Sequence, residues 1–470
     1  MTEGTTKIVV IGGGPGGYVA ALHAARHGAA ATLVENDLIG GTCLNRGCIP
    51  TKALLASAEA LSRARAGEEY GFEVAGEIKP DFARMMTRKD GIVTRLRENI
   101  EILLKKAGVT VLRGTGTLAG SGLVTVQTAD GATTVEADKI ILATGSEPAR
   151  LPMFDFSHPN ILTSTEALAL EKIPESLLIV GAGVIGCEFA SFYSELGVKI
   201  TMVEMLPQML PLEDLRLAKQ FQSTYRKRGI QVLLKTKVES ISEYADDHVT
   251  AKLSDGSEVT AEKILVSVGR KPNSAGIGLE NAGVEVDLRG YVVVNDYLET
   301  TALGIYAIGD VNGGQMLAHV ASYEAFVAVD NALAADPGRR RARDLRSTPS
   351  CTYSVPEVAS VGLSEDQAAE SGYTPITGTY RFAALGKTMA MGEETGYVTI
   401  IADKDTDAVL GASMMGAHVT DIVHEIAVAV QNGLTVKQIG DTIHAHPSVA
   451  EAVMEAAHDV HGECVHIAKP

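Results

Sequence analysis

Residues 7–17 read Lys-Ile-Val-Val-Ile-Gly-Gly-Gly-Pro-Gly-Gly, and this stretch decides the fold. A β-branched run leads into Gly12, Gly14 and Gly17, a helical stretch follows, and a second apolar run ends at Glu35. In such a unit the first glycine allows a tight turn, the second lets a pyrophosphate approach the backbone, and the third packs the helix against the strand. The complete strand–glycine–helix–strand–acid unit therefore predicts a dinucleotide site, whose phosphates face the N-terminus of the helix.

The same unit occurs a second time, with Gly181, Gly183 and Gly186 after an apolar strand and Glu204 as the acidic residue. In both copies the acid lies 18 positions after the third glycine, where it can accept hydrogen bonds from a ribose diol. An acid at this position disfavours a 2′-phosphate, so each site is predicted to prefer an FAD- or NAD-type ribose over NADP. Two copies in one chain predict two dinucleotides.

The first copy is longer than the second, which indicates an insertion. From the acid to the glycine that ends a later apolar strand, the first copy spans 110 residues, to Gly145, and the second spans 65, to Gly269. The extra residues, about 45, are predicted to include residues 40–52 and the helical stretch after them.

Residues 40–52 read Gly-Gly-Thr-Cys-Leu-Asn-Arg-Gly-Cys-Ile-Pro-Thr-Lys and contain Cys43 and Cys48. Side chains five positions apart do not align on a regular helix. A distorted turn at Gly47 that leads into a helix would bring their Cα atoms within the roughly 4.4–6.8 Å that a disulfide needs. A thiol near the helix N-terminus would have a lowered pKa. A redox disulfide is therefore the preferred interpretation, with half a metal site or an inert pair as the alternatives.

These motifs resemble the flavin-dependent pyridine nucleotide–disulfide oxidoreductase family over nearly the whole chain. Further family motifs follow in the family's order, at 269–273, 305–311, 317–319, 356–358 and 444–448. Within the family, the chain is most similar to members that oxidise protein-bound dihydrolipoyl groups with NAD as the acceptor. Residues 317–322 lack the lysine and acidic residues found there in many such members, which leaves the parent complex open.

The resemblance implies FAD on the first glycine unit and NAD on the second. Lys52 is expected near the reactive nitrogen of the flavin, paired with Glu188, and Asp310 is expected to contact the ribityl chain. The remaining implied cofactor contacts are Gly12, Gly14, Gly17, Glu35, Gly116, Gly145, Gly181, Gly183, Gly186, Glu204, Val238, Gly269 and Ala318. No metal is expected.

The implied catalytic residues are Cys43 and Cys48 as the redox disulfide, His446 as the base and Glu451 as the group that orients its imidazole. Thiol–disulfide exchange requires a thiolate, and imidazole is suited to take the proton at neutral pH. His446 precedes a proline, so the chain there is predicted to be extended. The resemblance also implies a homodimer in which this histidine serves the partner's active site.

The predicted fold class is α/β, with two Rossmann-like dinucleotide-binding domains and a C-terminal α+β dimerisation domain. The predicted domains are 1–147 for FAD with the redox insertion, 148–274 for NAD, 275–345 as a central domain that completes the FAD site, and 346–470 as the interface domain. In the last, strands are predicted at 397–402 and 409–415, and a helix at 421–433.

The composition limits the partners and the location. Lys and Arg total 41 against 58 Asp and Glu, and the net charge of −17 argues against binding to nucleic acid. The basic run at 339–343 is predicted to be a solvated linker. No apolar stretch approaches the roughly 18 residues of a membrane span, so we expect a cytoplasmic protein. The implied partners are a second copy, lipoyl domains, and the peripheral subunit-binding domain of a 2-oxo acid dehydrogenase or glycine cleavage complex.

Three other functions remain open. A related NAD(P)H-dependent disulfide reductase is disfavoured by Glu204, and a mercuric reductase is disfavoured because Cys464 stands alone. A non-catalytic dinucleotide-binding scaffold leaves the cysteine pair unexplained. The C-terminal set of His458, His461, Cys464 and His466 is predicted to be a surface tail rather than a metal site, and Cys187 and Cys351 are predicted to be inert.

Overall fold

The first glycine unit folds as the sequence predicts in a computed structural model that describes residues 5–467. The strand β1 (Lys7–Ile11) leads into helix α1 (Pro15–Arg26) and strand β2 (Ala30–Glu35), which pairs in parallel with β1. Strand β1 is buried apart from its first residue, as expected for a strand covered on both faces. The buried face of α1 consists of glycine and alanine, which lets the helix pack closely on the sheet.

The insertion after β2 is helical. It contains α2 (Gly41–Arg46), α3 (Cys48–Arg65) and α4 (Phe82–Lys106), and it ends at β3 (Thr110–Arg113), which joins the first sheet beside β2. A three-stranded antiparallel sheet follows, made of β4 (Thr115–Gly120), β5 (Leu123–Thr128) and β6 (Gly131–Glu136). The predicted insertion thus lies between two neighbouring parallel strands.

The first sheet is completed from a distant part of the chain. Its order is β18 (Ile305–Ala307), β7 (Lys139–Leu142), β1, β2 and β3. Helix α9 (Ala318–Leu333) follows β18 and packs along α1, and the short α8 (Leu279–Ala282) precedes them. The segment 275–345 therefore contributes a strand and a helix to the first unit. The boundaries of the four predicted domains stay a prediction.

The second glycine unit has the same plan. Its sheet has the order β12 (Gln231–Leu234), β11 (Lys199–Glu204), β10 (Ser176–Val180), β16 (Lys263–Val266) and β9 (Ile161–Leu162). Its helices are α5 (Ser164–Ala167), α6 (Val184–Glu195) and α7 (Leu215–Lys227). A second antiparallel sheet contains β13 (Val238–Tyr244), β14 (Val249–Leu253) and β15 (Glu258–Ala261). A ribbon of β8 (Ser146–Pro148) and β17 (Arg270–Pro272) joins the two units.

The C-terminal part forms a five-stranded antiparallel sheet packed against helices. The sheet order is β19 (Ser350–Thr352), β20 (Val358–Gly362), β23 (Val409–Met415), β22 (Tyr397–Asp403) and β21 (Pro375–Arg381). The helices are α10 (Glu365–Glu370), α11 (Gly386–Ala390), α12 (Val419–Asn432), α13 (Val436–Gly440) and α14 (Glu451–Val460). Both predicted strands and the predicted helix are present.

Two surface predictions hold only in part. The basic run is not simply solvated, because Arg340 pairs with Glu299 and Arg343 pairs with the buried Glu324, each at 2.8 Å. The predicted surface tail folds back: Cys464 is buried, and its Sγ lies 2.9 Å from Oε2 of Glu455. Within residues 5–467, no helix combines the length and the apolar character that a membrane crossing requires.

Candidate active site

The glycines of the first unit serve two different purposes. A Cβ on Gly12 would lie 2.3 Å from the carbonyl oxygen of Ala143, and one on Gly17 would lie 1.7 Å from that of Gly12. A Cβ on Gly14 would meet only the Cα of Gly41, at 3.9 Å, and the φ of Gly14 is an ordinary −69°. The outer glycines are thus required by the protein's own packing. The middle one leaves open space at the N-terminus of α1, which fits the approach of a pyrophosphate.

The second unit repeats this division. Cβ atoms on Gly181 and Gly186 would lie 2.5 Å and 2.1 Å from carbonyl oxygens, whereas one on Gly183 would have no neighbour within 4 Å. Gly183 also has an ordinary φ of −77° and stands at the N-terminus of α6, which has no side-chain cap. The backbone N–H groups there are available to an anion. The residues present therefore fit a dinucleotide at each glycine loop.

The two acidic residues fix the glycine loops from the ends of β2 and β11. Oε2 of Glu35 accepts a hydrogen bond from the amide of Gly13 at 2.5 Å, and Oε2 of Glu204 accepts one from the amide of Ala182 at 2.8 Å. Both carboxylates are buried, and each also accepts from a backbone amide two residues further along the chain. A carboxylate has about four acceptor sites, so each acid keeps capacity for a ribose diol.

The cysteine motif is attached directly to the first glycine loop. The amide of Gly40 donates to the carbonyl of Gly13 at 2.8 Å, and a Cβ on Gly41 would lie 2.6 Å from the Cα of Gly14. Cys43 lies on the short helix α2. The helical conformation is interrupted at Gly47, and α3 begins at Cys48. This break is the distorted turn that the spacing predicts, and it brings the two thiols together.

The pKa values of the two thiols are shifted in opposite directions. Cys43 and Cys48 are free and share a hydrogen bond, which raises the pKa of Cys43 well above its usual value, as does burial. The hydrogen bond from Cys43 lowers the pKa of Cys48 to about 7; burial and Glu188 oppose this effect, and the nearby charge of Lys52 adds to it. Cys48 is therefore the thiol that ionises first, at the N-terminus of a helix.

The predicted pair of Lys52 and Glu188 is present. Nζ of Lys52 donates to both oxygens of Glu188, at 2.8 and 2.9 Å, and lies 4.5 Å from the ring centre of Tyr353. Glu188 is buried, and the amide of Tyr353 donates to its Oε1 at 3.0 Å. The pair connects α3 to α6 and thereby joins the cysteine helix to the second glycine unit.

Asp310 lies in a polar network that sequence reasoning did not predict. It stands in a turn directly after β18, where its carboxylate accepts from the hydroxyl of Ser146 and lies 3.7 Å from Nε of Arg270. Arg270 in turn donates to the hydroxyl and the carbonyl of Ser146, each at 2.6 Å. Burial lowers the pKa of Arg270 and Asp310 opposes this effect. In the sequence, only the position of Arg270 within the family motif at 269–273 pointed to this network.

His446 and Glu451 form the predicted pair, with Nδ1 of the imidazole 2.7 Å from Oε1 of the carboxylate. The amide of Ser448 donates to Oε2 of Glu451 at 2.8 Å. Burial opposes the change, but this amide and the imidazole together lower the pKa of Glu451. The His446 side chain is 80% exposed and makes no hydrogen bond to Cys43 within the described chain. In one copy of the chain, the base and the thiols do not meet.

The neighbouring His444 has a structural position that the sequence did not reveal. Its side chain is buried, its Nε2 lies 2.9 Å from Oε1 of Glu425 on α12, and its Nδ1 lies 2.8 Å from the carbonyl of Thr442. These contacts attach the segment before His446 to α12. The peptide bond between His446 and Pro447 is cis.

The other predicted cofactor residues have different local settings. Gly116 packs against Ile11 and Val34 of the first sheet, and Ala318 is the first residue of α9. Gly145 and Gly269 have positive φ angles of 70° and 121° at the ends of the ribbon that joins the units. The side chain of Val238 is buried in an apolar cluster, and its cofactor contact stays a prediction.

Comparison with known proteins defines the class. The pyridine nucleotide-disulphide oxidoreductase profile matches residues 6–325, and the dimerisation domain of the same family matches residues 348–457. The chain belongs to the pyridine nucleotide-disulphide oxidoreductase family. This result confirms the predicted fold class and the predicted cofactors of the family, FAD and NAD, and the dimerisation-domain match supports a homodimer.

Individual relatives narrow the comparison. The chain is 42% identical to the dihydrolipoyl dehydrogenase of Bacillus subtilis over 472 residues, which cover 98% of each protein. It is 40% identical to that of Chlamydia pneumoniae, over 96% of this chain and 95% of the relative. Among solved structures it is similar to LpdA from Mycobacterium tuberculosis, with a TM-score of 0.90, 30% identity, and 97% and 99% coverage. It is also similar to the HOCl-induced flavoprotein disulfide reductase RclA from Escherichia coli, with a TM-score of 0.86, 30% identity, and 96% and 99% coverage.

Proposed function

We propose that this protein oxidises protein-bound dihydrolipoyl groups to lipoyl groups and passes the electrons to NAD. The observation that carries the proposal is the Cys43–Cys48 pair, which is attached to the first glycine loop and contains one thiol that ionises near neutral pH. Relatives named dihydrolipoyl dehydrogenase that match over nearly the full chain support the choice of substrate.

The exchange begins with the two cysteines as a disulfide. A dihydrolipoyl thiolate attacks Sγ of Cys43, the Cys43–Cys48 bond breaks, and Cys48 leaves as a thiolate. Its low pKa makes Cys48 the better leaving group. The second dihydrolipoyl thiol, as a thiolate, then attacks its own sulfur in the mixed disulfide, which closes the lipoyl ring and releases Cys43. The substrate loses two electrons and two protons, and the protein gains a dithiol.

His446 takes the proton from the incoming dihydrolipoyl thiol. Glu451 accepts a hydrogen bond from Nδ1 of the imidazole, which fixes the tautomer and leaves Nε2 free to act as a base. Because this imidazole is exposed and makes no hydrogen bond to Cys43 of its own chain, we infer that it serves the site of a second copy.

The cofactor sites follow from the two glycine loops. Gly14 and Glu35 would hold FAD, Gly183 and Glu204 would hold NAD, and Lys52 would face the flavin beside Cys48. When bound, FAD supplies the two-electron coupling between the dithiol and NAD. The lipoyl groups would be carried by lipoyl domains of a 2-oxo acid dehydrogenase or glycine cleavage complex, with docking on a peripheral subunit-binding domain. We expect this reaction in the cytoplasm, where the reducing conditions disfavour structural disulfides and a close cysteine pair usually serves redox chemistry.

The test is NAD reduction by free dihydrolipoamide. We expect turnover in the wild type and loss of it in Cys48→Ser, whereas Cys351→Ser, which changes a partly buried cysteine on β19, keeps it. Unchanged activity in Cys48→Ser would contradict the disulfide mechanism. Slow turnover with dihydrolipoamide but fast NADPH-dependent reduction of another disulfide would replace this function with that of a related disulfide reductase.

A further inference from the structure

A group of metal-type ligands lies on the surface of the first unit, away from the glycine loop. His23 and His27 are one turn apart at the C-terminal end of α1, and Asp330 faces them from α9. Each of the three residues can offer one ligand atom, and these atoms lie within 4.8 Å of one another. The redox and dinucleotide chemistry proposed above uses none of the three.

Hydrogen bonds orient the three side chains. Nδ1 of His27 lies 2.9 Å from the carbonyl oxygen of His23, which leaves Nε2 of His27 available. Nε2 of His23 lies 2.8 Å from Oδ1 of Asp330, while Arg341 approaches the other oxygen, Oδ2, at 3.5 Å. The ring of Phe326 packs edge-on against His23, with 4.7 Å between the ring centres. The contacts of His27 with the His23 carbonyl and of Phe326 with His23 fix the two ring orientations, as outer contacts do for metal-binding histidines. The bound ion would replace the proton shared between Nε2 of His23 and Oδ1 of Asp330.

We propose that His23, His27 and Asp330 bind a divalent transition-metal ion. Two histidines at positions i and i+4 present their rings on one face of a helix, so they can chelate a single ion. Two imidazole nitrogens with one carboxylate oxygen suit zinc, nickel or copper, whereas magnesium and calcium prefer sites made only of oxygen. The half-buried His23 and the exposed His27 and Asp330 leave the site open to solvent, so water completes the coordination.

The ion would act as a clamp between two helices. Helix α1 carries the first glycine loop at its N-terminus, and α9 follows the turn that holds Asp310. Because the three ligands converge only when α1 and α9 are packed together, an ion bound there stabilises the folded unit and raises its melting temperature.

The experiment is calorimetric titration of the oxidised holoenzyme with Ni²⁺. Oxidation ties Cys43 and Cys48 in a disulfide, which removes the competing thiolates. We expect one saturable site per chain in the wild type, weakened at least about tenfold in His27→Ala and in Asp330→Asn, since even outer contacts of a metal site contribute that much. Ni²⁺ should also raise the melting temperature of the wild type by a few degrees, but not that of the variants.

The matched control is His248→Ala. His248 lies between two acidic residues, but it contacts Asp247 through Nδ1 and Glu243 through Nε2. The two carboxylates therefore lie at different ring nitrogens and cannot bind one ion together with the imidazole. This variant should bind Ni²⁺ like the wild type. Since His27 is exposed at a helix end, its replacement should preserve the fold, which melting without metal will verify. Absence of saturable binding, or binding that survives unchanged in both site variants, would overturn the proposal and leave the redox function untouched.

Discussion

The charge of Lys52 adds to the hydrogen bond from Cys43, which is the largest cause of the lowered pKa of Cys48. The ammonium lowers the pKa of Cys48, and its partner Glu188 raises it. A lysine without this carboxylate would favour the thiolate more strongly but would lose the two hydrogen bonds that fix its position. The pair is therefore a compromise between positioning and acidity.

Replacing this lysine should shift the titration of the thiol. In the reduced wild type, the thiolate absorbance of Cys48 should appear near pH 7 and disappear as the pH falls below it. Lys52→Met removes a favourable charge and leaves Glu188 unopposed, so the transition should move up by about one pH unit or more. As a control, adding Glu188→Gln should bring it part of the way back. An unchanged titration in Lys52→Met would show that this charge does not set the acidity of Cys48.

The imidazole of His446 depends in the same way on a single carboxylate. Glu451→Gln keeps the shape but removes the negative charge that orients Nδ1 and stabilises the protonated ring. We expect kcat/KM for dihydrolipoamide to fall about 10–100-fold. Glu463→Gln, at an exposed position of the same C-terminal region, is the control. An equal loss in both variants would mean a general electrostatic effect.

The two glycine loops separate the needs of the protein from those of the cofactor. Gly183→Ala adds a methyl group where no protein atom lies within 4 Å, so the fold should persist while the KM for NADH rises at least about tenfold. Gly186→Ala places the methyl group 2.1 Å from the carbonyl oxygen of Gly181 and should destabilise the protein by about 1–3 kcal/mol. Melting curves and NADH kinetics of both variants distinguish the effects. An unchanged KM for NADH in Gly183→Ala would show that the pyrophosphate does not bind at this loop.

Elements with a local signal could be predicted from the sequence. The glycine units, the helical insertion, and strands β22 and β23 follow from short patterns in which composition and spacing agree. The pairs of Cys43 with Cys48 and of His446 with Glu451 were also accessible, because each lies within five positions. In these cases the physics that shapes the element acts between near neighbours.

Contacts between distant segments could not be predicted in this way. Ser146 and Arg270 are 124 positions apart and meet only because β8 and β17 pair. Cys464 is buried because the chain after α14 returns to Glu455, although its polar neighbours suggest a surface tail. The basic run finds its acidic partners on other elements, at Glu299 and Glu324. Each of these outcomes depends on tertiary packing, which leaves no periodic trace in the sequence.

At the scale of the whole molecule, one chain separates the parts that the reaction needs together. The thiols lie on the first unit beside the glycine loop, whereas the base lies on the C-terminal domain with its ring turned to solvent. The dimerisation-domain match supports a symmetric pair of chains, in which a residue exposed on one copy can complete the site of the other. If His446 serves the partner's thiols as proposed, catalysis requires the dimer.

Subunit mixing tests this arrangement directly. Cys48→Ser and His446→Gln should each be nearly inactive as homodimers. After dissociation and random reassociation of equal amounts, half of the dimers are mixed, and each mixed dimer has one site with intact thiols from one chain and an intact histidine from the other. Activity should therefore recover to about one quarter of the wild-type value. If the thiols and the histidine of the same chain worked together, every site in the mixture would lack one of them and no activity would return. Mixing each variant with itself controls for recovery caused by the procedure.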